Sequence, residues 1–260
     1  MKTYFKDDWG LLGTLFACVL ACAPARAMNV NPMVVEMTDS GSGSRTLLRV
    51  TNDGASPIPL EFVISRLELA ENGNQTLIPA LGDFLIFPPA ATIPGGKSQT
   101  FRVQWKAKSQ LQKSQTYWIS VNQLPVKFPS QKHGVQVIYN VGVLISVMPP
   151  NATAVLDVTA AIGRDKAGVA RPQVIVENKG NRHINLADTS VVLSNGKWMH
   201  TVTSAAIRKE IGVGLIQPGK KRRFTFPVNL PVPLGTLTAR LNAEASGLKI
   251  DPVASIPPAK

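Results

Sequence analysis

Between Val135 and Met148 the chain reads VQVIYNVGVLISVM, and every odd position from Val135 to Val147 is apolar. Even positions are mixed: Gln136, Asn140 and Ser146 interrupt Ile138, Gly142, Leu144 and Met148. A period of two predicts a β-strand with one apolar face, because successive side chains point to opposite sides of a strand. A strand over 135–148 would be far longer than the usual ~5–6 residues, so what covers its apolar face becomes a question about function.

The same period recurs along the chain. Strands are expected at Val34–Met37, Arg45–Thr51, Leu60–Leu69, Leu85–Phe87, Phe101–Trp105 and Tyr117–Val121. Turn-forming stretches separate them: TDSGSGS (38–44), ENGN (71–74) and IPGGK (93–97). With the long strand, this makes an immunoglobulin-like β-sandwich pattern, without the Cys-Trp-Cys hallmark of antibody domains. Pro149-Pro150-Asn151 should end the long strand and serve as a stiff linker, since proline cannot donate to a ladder. A second all-β stretch follows, with strands expected at 154–160, 169–176, 185–192, 198–202, 214–217, 223–228 and 236–241. Asn195-Gly196 marks one hairpin within it. The expected organisation is two immunoglobulin-like sandwiches: residues 28–148, a linker at 149–151, residues 152–250, and a loose tail at 251–260.

Composition alters this picture at the N-terminus. Lys2 and Lys6 precede an apolar run from Gly10 to Ala23, and Ala25-Arg26-Ala27 is an A-x-A cleavage site. Residues 1–27 therefore read as a secretory signal cleaved after Ala27, with lipoprotein processing at Cys22 as the alternative. No later run is apolar enough to span a membrane. Both cysteines, Cys18 and Cys22, lie in the signal, so the exported chain has neither a disulfide nor a thiolate metal site to offer. A net charge of +12 favours acidic partners or membrane surfaces, and export argues against nucleic acid.

Catalytic chemistry finds little support. The three histidines, His133, His183 and His200, show no metal-ligand spacing and read as solvated loop residues. No G-x-S-x-G elbow is present, and Ser42 belongs to a flexible Gly-Ser turn. No enzyme activity, cofactor or metal is expected. Lys220-Lys221-Arg222-Arg223 reads as a charged turn guarding a sheet edge, or as a patch for an acidic partner. Arg102 stands on its strand opposite Phe101, Val103 and Trp105, where its forked guanidinium could grip a carboxylate.

Taken in order, VNPMVVEM (30–37), FPPAATIPGGKSQTFRVQW (87–105), YWISVNQLP (117–125), the long strand, the double proline and VIVENKGN (174–181) resemble the periplasmic chaperones of the chaperone–usher pathway of pilus assembly. The resemblance covers nearly the whole exported chain. It implies that strand 135–148 is lent to a pilus subunit whose fold lacks a strand, with Val135, Val137, Tyr139 and Val141 as donors and Val143 deeper. It further implies delivery to an outer-membrane usher and release by strand exchange; self-association of the free chaperone stays open. In the better-known branch two cations in the interdomain cleft anchor the subunit's C-terminal carboxylate. Met33 and Leu144 stand at those positions here, and Met148 replaces an arginine of an interdomain salt bridge. This departure points to the archaic or alternative branch, and makes Arg102, with Lys106 in reserve, the candidate anchor. The alternative function is an exported adhesin or structural β-sandwich protein of a surface fibre.

Overall fold

A computed structural model describes residues 28–106, 110–125, 137–231 and 235–243. The first half forms β1 (Met28–Asn31), β2 (Val34–Thr38), β3 (Arg45–Asn52), β4 (Ile58–Leu69), β5 (Gln75–Pro79), β6 (Phe84–Phe87), β7 (Ala90–Ile93), β8 (Ser98–Trp105), β9 (Gln115–Gln123) and β10 (Asn140–Met148). The second half adds β11 (Leu156–Arg164), β12 (Ala170–Asn178), β13 (Ile184–Asn185), β14 (Thr189–Ser194), β15 (Met199–Val202), a short helix α1 (Ser204–Glu210), β16 (Leu215–Ile216), β17 (Lys221–Thr225) and β18 (Thr238–Ala243). The chain is almost entirely β and has the immunoglobulin-like sandwich fold.

Two layers face each other in the first half. One has the order β1-β3-β8-β6; the other runs β2-β10-β9-β4, with β5 and β7 sharing the far edge of β4. Period-two side chains from both layers meet in one core. Leu48, Val50, Phe101, Val103, Tyr117, Ile119, Val121, Val143, Ile145 and Val147 are all wholly buried. Edge-to-face rings pin one end of it, with Phe84 4.9 Å from Tyr117 and 5.0 Å from Trp105. Pro32 divides β1 from β2, so the first strand pairs β3 in one layer and then β10 in the other.

The second half closes a separate core around Leu156, Val174, Val176, Leu186, Leu193, Ile207 and Phe226. Its sheets are β11-β12-β17 and β15-β14-β18, with the short pair β13-β16. Helix α1 was not expected from the sequence. Thr203 caps it by accepting from the Ala206 N–H, and Ile207 plugs the core.

Most expected strands stand within a few residues of their predicted bounds. The strands β1, β5 and β7 were not anticipated: each has four or five residues, too few to display a period. The expected strand over 135–148 is corrected. Among the described residues it begins at Asn140, while residues 137–139 precede the ladder and Val135 lies outside the description.

Phe101→Ala, which empties a fully buried ring site, should cost about 3–5 kcal/mol. Leu85→Ala, on the 53% exposed outer face of the same sandwich, should change stability by no more than ~0.5 kcal/mol. Guanidinium unfolding followed by tryptophan fluorescence measures both, and equal losses would contradict the facing of these layers.

Candidate functional site

The strand β10 has different neighbours along its two halves. On one side β9 pairs it throughout, from Asn140 opposite Asn122 to Val147 opposite Gln115. On the other side β2 runs parallel to it only from Leu144 to Met148, beginning with the bond from the Leu144 N–H to the Met33 carbonyl at 2.9 Å. Upstream of Leu144, Asn140–Val143 has no strand partner on that side among the described residues. The result is a short open edge continuous with a paired one, which is a template for strand addition.

Burial follows the same division. Val143, Ile145 and Val147 are sealed in the first core. Val141 and Tyr139 are half-buried at its rim, and Val137 and Ile138 are 58% and 50% exposed. The expected donor role of Val143 is therefore corrected: its side chain already fills the chain's own sandwich and has no surface to lend. Tyr139 is held to β9 by its carbonyl, which accepts from the Gln123 N–H at 2.9 Å.

On its other face β10 carries the contact between the two sandwiches. Leu144 is buried in a cluster with Leu67, Leu69 and Leu215, packed by Trp118 and Val213. A Cβ on Gly142 would stand 1.8 Å from the Trp118 ring, so the indole lies directly on the strand where only glycine leaves room. At the place where the resemblance leads one to expect a cleft cation, the chain has an apolar contact between its halves.

Polar groups complete that contact. Gln217 accepts from the Leu69 N–H at 2.9 Å and donates to the Leu67 carbonyl at 2.7 Å, so it caps the end of β4 like a short strand. The Ser114 N–H donates to the Asn181 carbonyl, and Ser114 Oγ accepts from the His183 N–H at 2.7 Å. Glu36, on β2, lies 3.2 Å from His183 Nε2 and 3.3 Å from Arg182. The hydrogen bond from His183 holds the Glu36 carboxyl below the ordinary glutamate range; burial opposes this, and the charges of His183 and Arg182 reinforce it.

Several sequence readings change here. His183 is not a solvated loop residue: its side chain is 1% exposed, with Nδ1 buried and unpartnered. His200 is exposed, and His133 lies outside the described residues. Two members of the basic run 220–223, Lys220 and Arg223, reach towards the first sandwich. Lys220 meets Glu68 at 3.3 Å and Arg223 meets Glu71 at 2.5 Å, while Arg222 lies 5.1 Å over the Phe224 ring of its own sandwich. The partners of Lys220 and Arg223 come from the LELAENG hairpin (67–73), about 150 residues away, whereas Lys221 pairs with Glu177 and Arg222 donates to the Leu215 carbonyl within the second sandwich. Arg102 and Lys106 stand in the layer that does not contain β10. Arg102 is on its solvent face, between Leu47 and Phe87 in the cross-strand pairing, and bonds Gln104 at 3.3 Å. That position takes Arg102 away from the open edge and from the junction, because the core separates the two layers. Leu47, Leu85 and Phe87 on the same face are 60%, 53% and 69% exposed.

Among the described residues no group of His, Cys, Asp and Glu could hold a metal, and no helix is long and apolar enough to cross a membrane.

Residues 27–151 match the family of pili and flagellar-assembly chaperones, PapD N-terminal domain. No curated protein matches the chain by sequence. Among solved structures, a chain of the chaperone–tip adhesin complex of CFA/I fimbriae biogenesis is similar, with 14% identity, TM-score 0.53, and coverage of 86% of this chain and 95% of that one. The class 5 fimbriae chaperone CfaA gives 13% identity and TM-score 0.51 over 85% and 100% of the two chains. A chain of the CsuC–CsuE chaperone–tip adhesion subunit pre-assembly complex, from archaic chaperone–usher Csu pili of Acinetobacter baumannii, gives 12% identity and TM-score 0.50 over 78% and 89%. At these identities the likeness is one of fold.

A depressed carboxyl pKa adds stability above the unfolded value and forfeits it as pH falls through the folded value. Glu36→Gln should therefore lower the melting temperature at pH 7, and the gap to the parent chain should close as pH falls below about 4.3. A gap independent of pH would show that the Glu36 carboxylate does not hold the junction.

Proposed function

We propose, from the match of residues 27–151 to the pili and flagellar-assembly chaperones, that the chain is a periplasmic chaperone that completes the fold of pilus subunits by lending them part of β10. The observation that carries this reading is the open edge of Asn140–Val143, with exposed Val137 and Ile138 ahead of it and half-buried Val141 at its base. A subunit lacking one strand could dock there. Backbone hydrogen bonds would provide affinity, and pockets for alternate side chains would provide selection. Each apolar side chain transferred from water contributes ~1.5–3 kcal/mol before ordering costs.

The donors on this reading are Val137, Tyr139 and Val141, with Val135 next upstream. Since the subunit engages β10, the usher would need a different surface. The outer face bearing Leu47, Leu85, Phe87 and Arg102 supports that role, as contiguous exposed apolar side chains mark interaction sites. Release by exchange with the next subunit's extension needs no nucleotide or cofactor.

Co-expression with the small exported proteins encoded nearby, followed by pull-down, tests the proposal. Val137→Asp should reduce subunit capture by roughly ten- to hundredfold, while Leu77→Asp, on the far edge of the same sheet, should not. Undiminished capture by Val137→Asp would reject the donor assignment. Phe87→Ser and Arg102→Ala should spare subunit capture and abolish retention by the usher; a loss of subunit capture in Arg102→Ala would restore Arg102 as an anchor.

A further inference from the structure

We propose that the pocket where the two sandwiches meet beside β9 is a binding site for a small tetrahedral oxyanion of the phosphate or sulfate class. The pocket has a volume of about 170 Å³ and is lined by Arg66 and Glu68 of β4, Lys113 and Gln115 at the start of β9, and Pro218 and Lys220 of the second sandwich. This site is separate from the open edge of β10 and does not depend on the chaperone reading.

The donors in this pocket outnumber its acceptors. Arg66 Nε is buried and has no hydrogen-bond partner; the nearest carboxylate oxygen, Glu68 Oε1, is 3.8 Å away, beyond hydrogen-bond reach. A buried donor left unpaired is costly, and groups of this kind mark places where a ligand completes the structure. Lys113 has no ion-pair partner among the described residues and is exposed at the rim. Lys220 approaches Glu68 at 3.3 Å. Three cations and one carboxylate thus line the pocket, which leaves it net positive. Gln115 lines the pocket beside them, with its side-chain amide bonded to the Tyr117 hydroxyl at 2.6 Å.

A dianion with four oxygens meets these demands together. It can accept from the Arg66 guanidinium and the Lys113 ammonium while neutralising the excess charge. Because Lys220 belongs to the second sandwich and the other cations to the first, the bound ion would also brace the junction that Gln217 clamps alongside.

The full chain should be melted in a sodium phosphate titration, with ionic strength held constant by sodium chloride, and phosphate binding should be measured by calorimetry. A saturable rise in melting temperature with phosphate, matched by sulfate and not by acetate, is expected. Lys113→Gln, a change at an exposed site, should weaken phosphate binding on the order of tenfold. Glu68→Gln should tighten it by removing the competing carboxylate, and Lys166→Gln, in a distant hairpin, should leave it unchanged. A rise that never saturates, that is equally large in Lys113→Gln, or that acetate reproduces would overturn the proposal.

Discussion

The ladder along β10 is the constraint on which the other features depend. One strand must close the core of the first sandwich, carry the second sandwich on its opposite face, and leave part of its edge open. Parallel pairing with β2 serves the first two tasks from Leu144 onward, where both faces are buried. Upstream the pairing stops, and the strand passes from core element to rim within a few residues. This gradient follows from ordinary sheet geometry: a strand partnered on both sides and covered on both faces is rigid, and one paired on a single side is an invitation to another chain.

Trp118 couples these roles. It sits on Gly142, at the open edge, and packs into the leucine cluster that joins the sandwiches. An apolar junction also explains why the cleft has Leu144 where related chaperones are expected to place a cation. A lysine there would have to bury its charge among Leu67, Leu69 and Leu215 without a partner, and an unpaired buried charge is strongly disfavoured. The chain instead places its charges around the rim of the contact, in Glu36 with His183 and in Lys220 and Arg223 on Glu68 and Glu71.

Much of this architecture was legible from alternation alone. Phe101, Val103 and Trp105 point inward as their period requires, and the run from Val141 to Val147 is a strand. What escaped was whatever depends on distant partners. His183 lies in a polar sequence, GNRHI, and only the approach of β2 and Ser114 buries it. Arg102 was the candidate anchor because its guanidinium could grip a carboxylate and no cation stands at Met33 or Leu144; which layer β8 joins is decided by pairing with β3 and β6, which a single strand's sequence does not encode. Alternation likewise marked Val143 as apolar without indicating whether its own core or another protein would cover it.

The start of β2 also acts as a stop. Met33 and Val34 already occupy the side of β10 facing Leu144, so the open edge ends at Val143. The junction with β2 therefore fixes one end of the open edge: backbone pairing added on this side would have to turn away where Met33 begins.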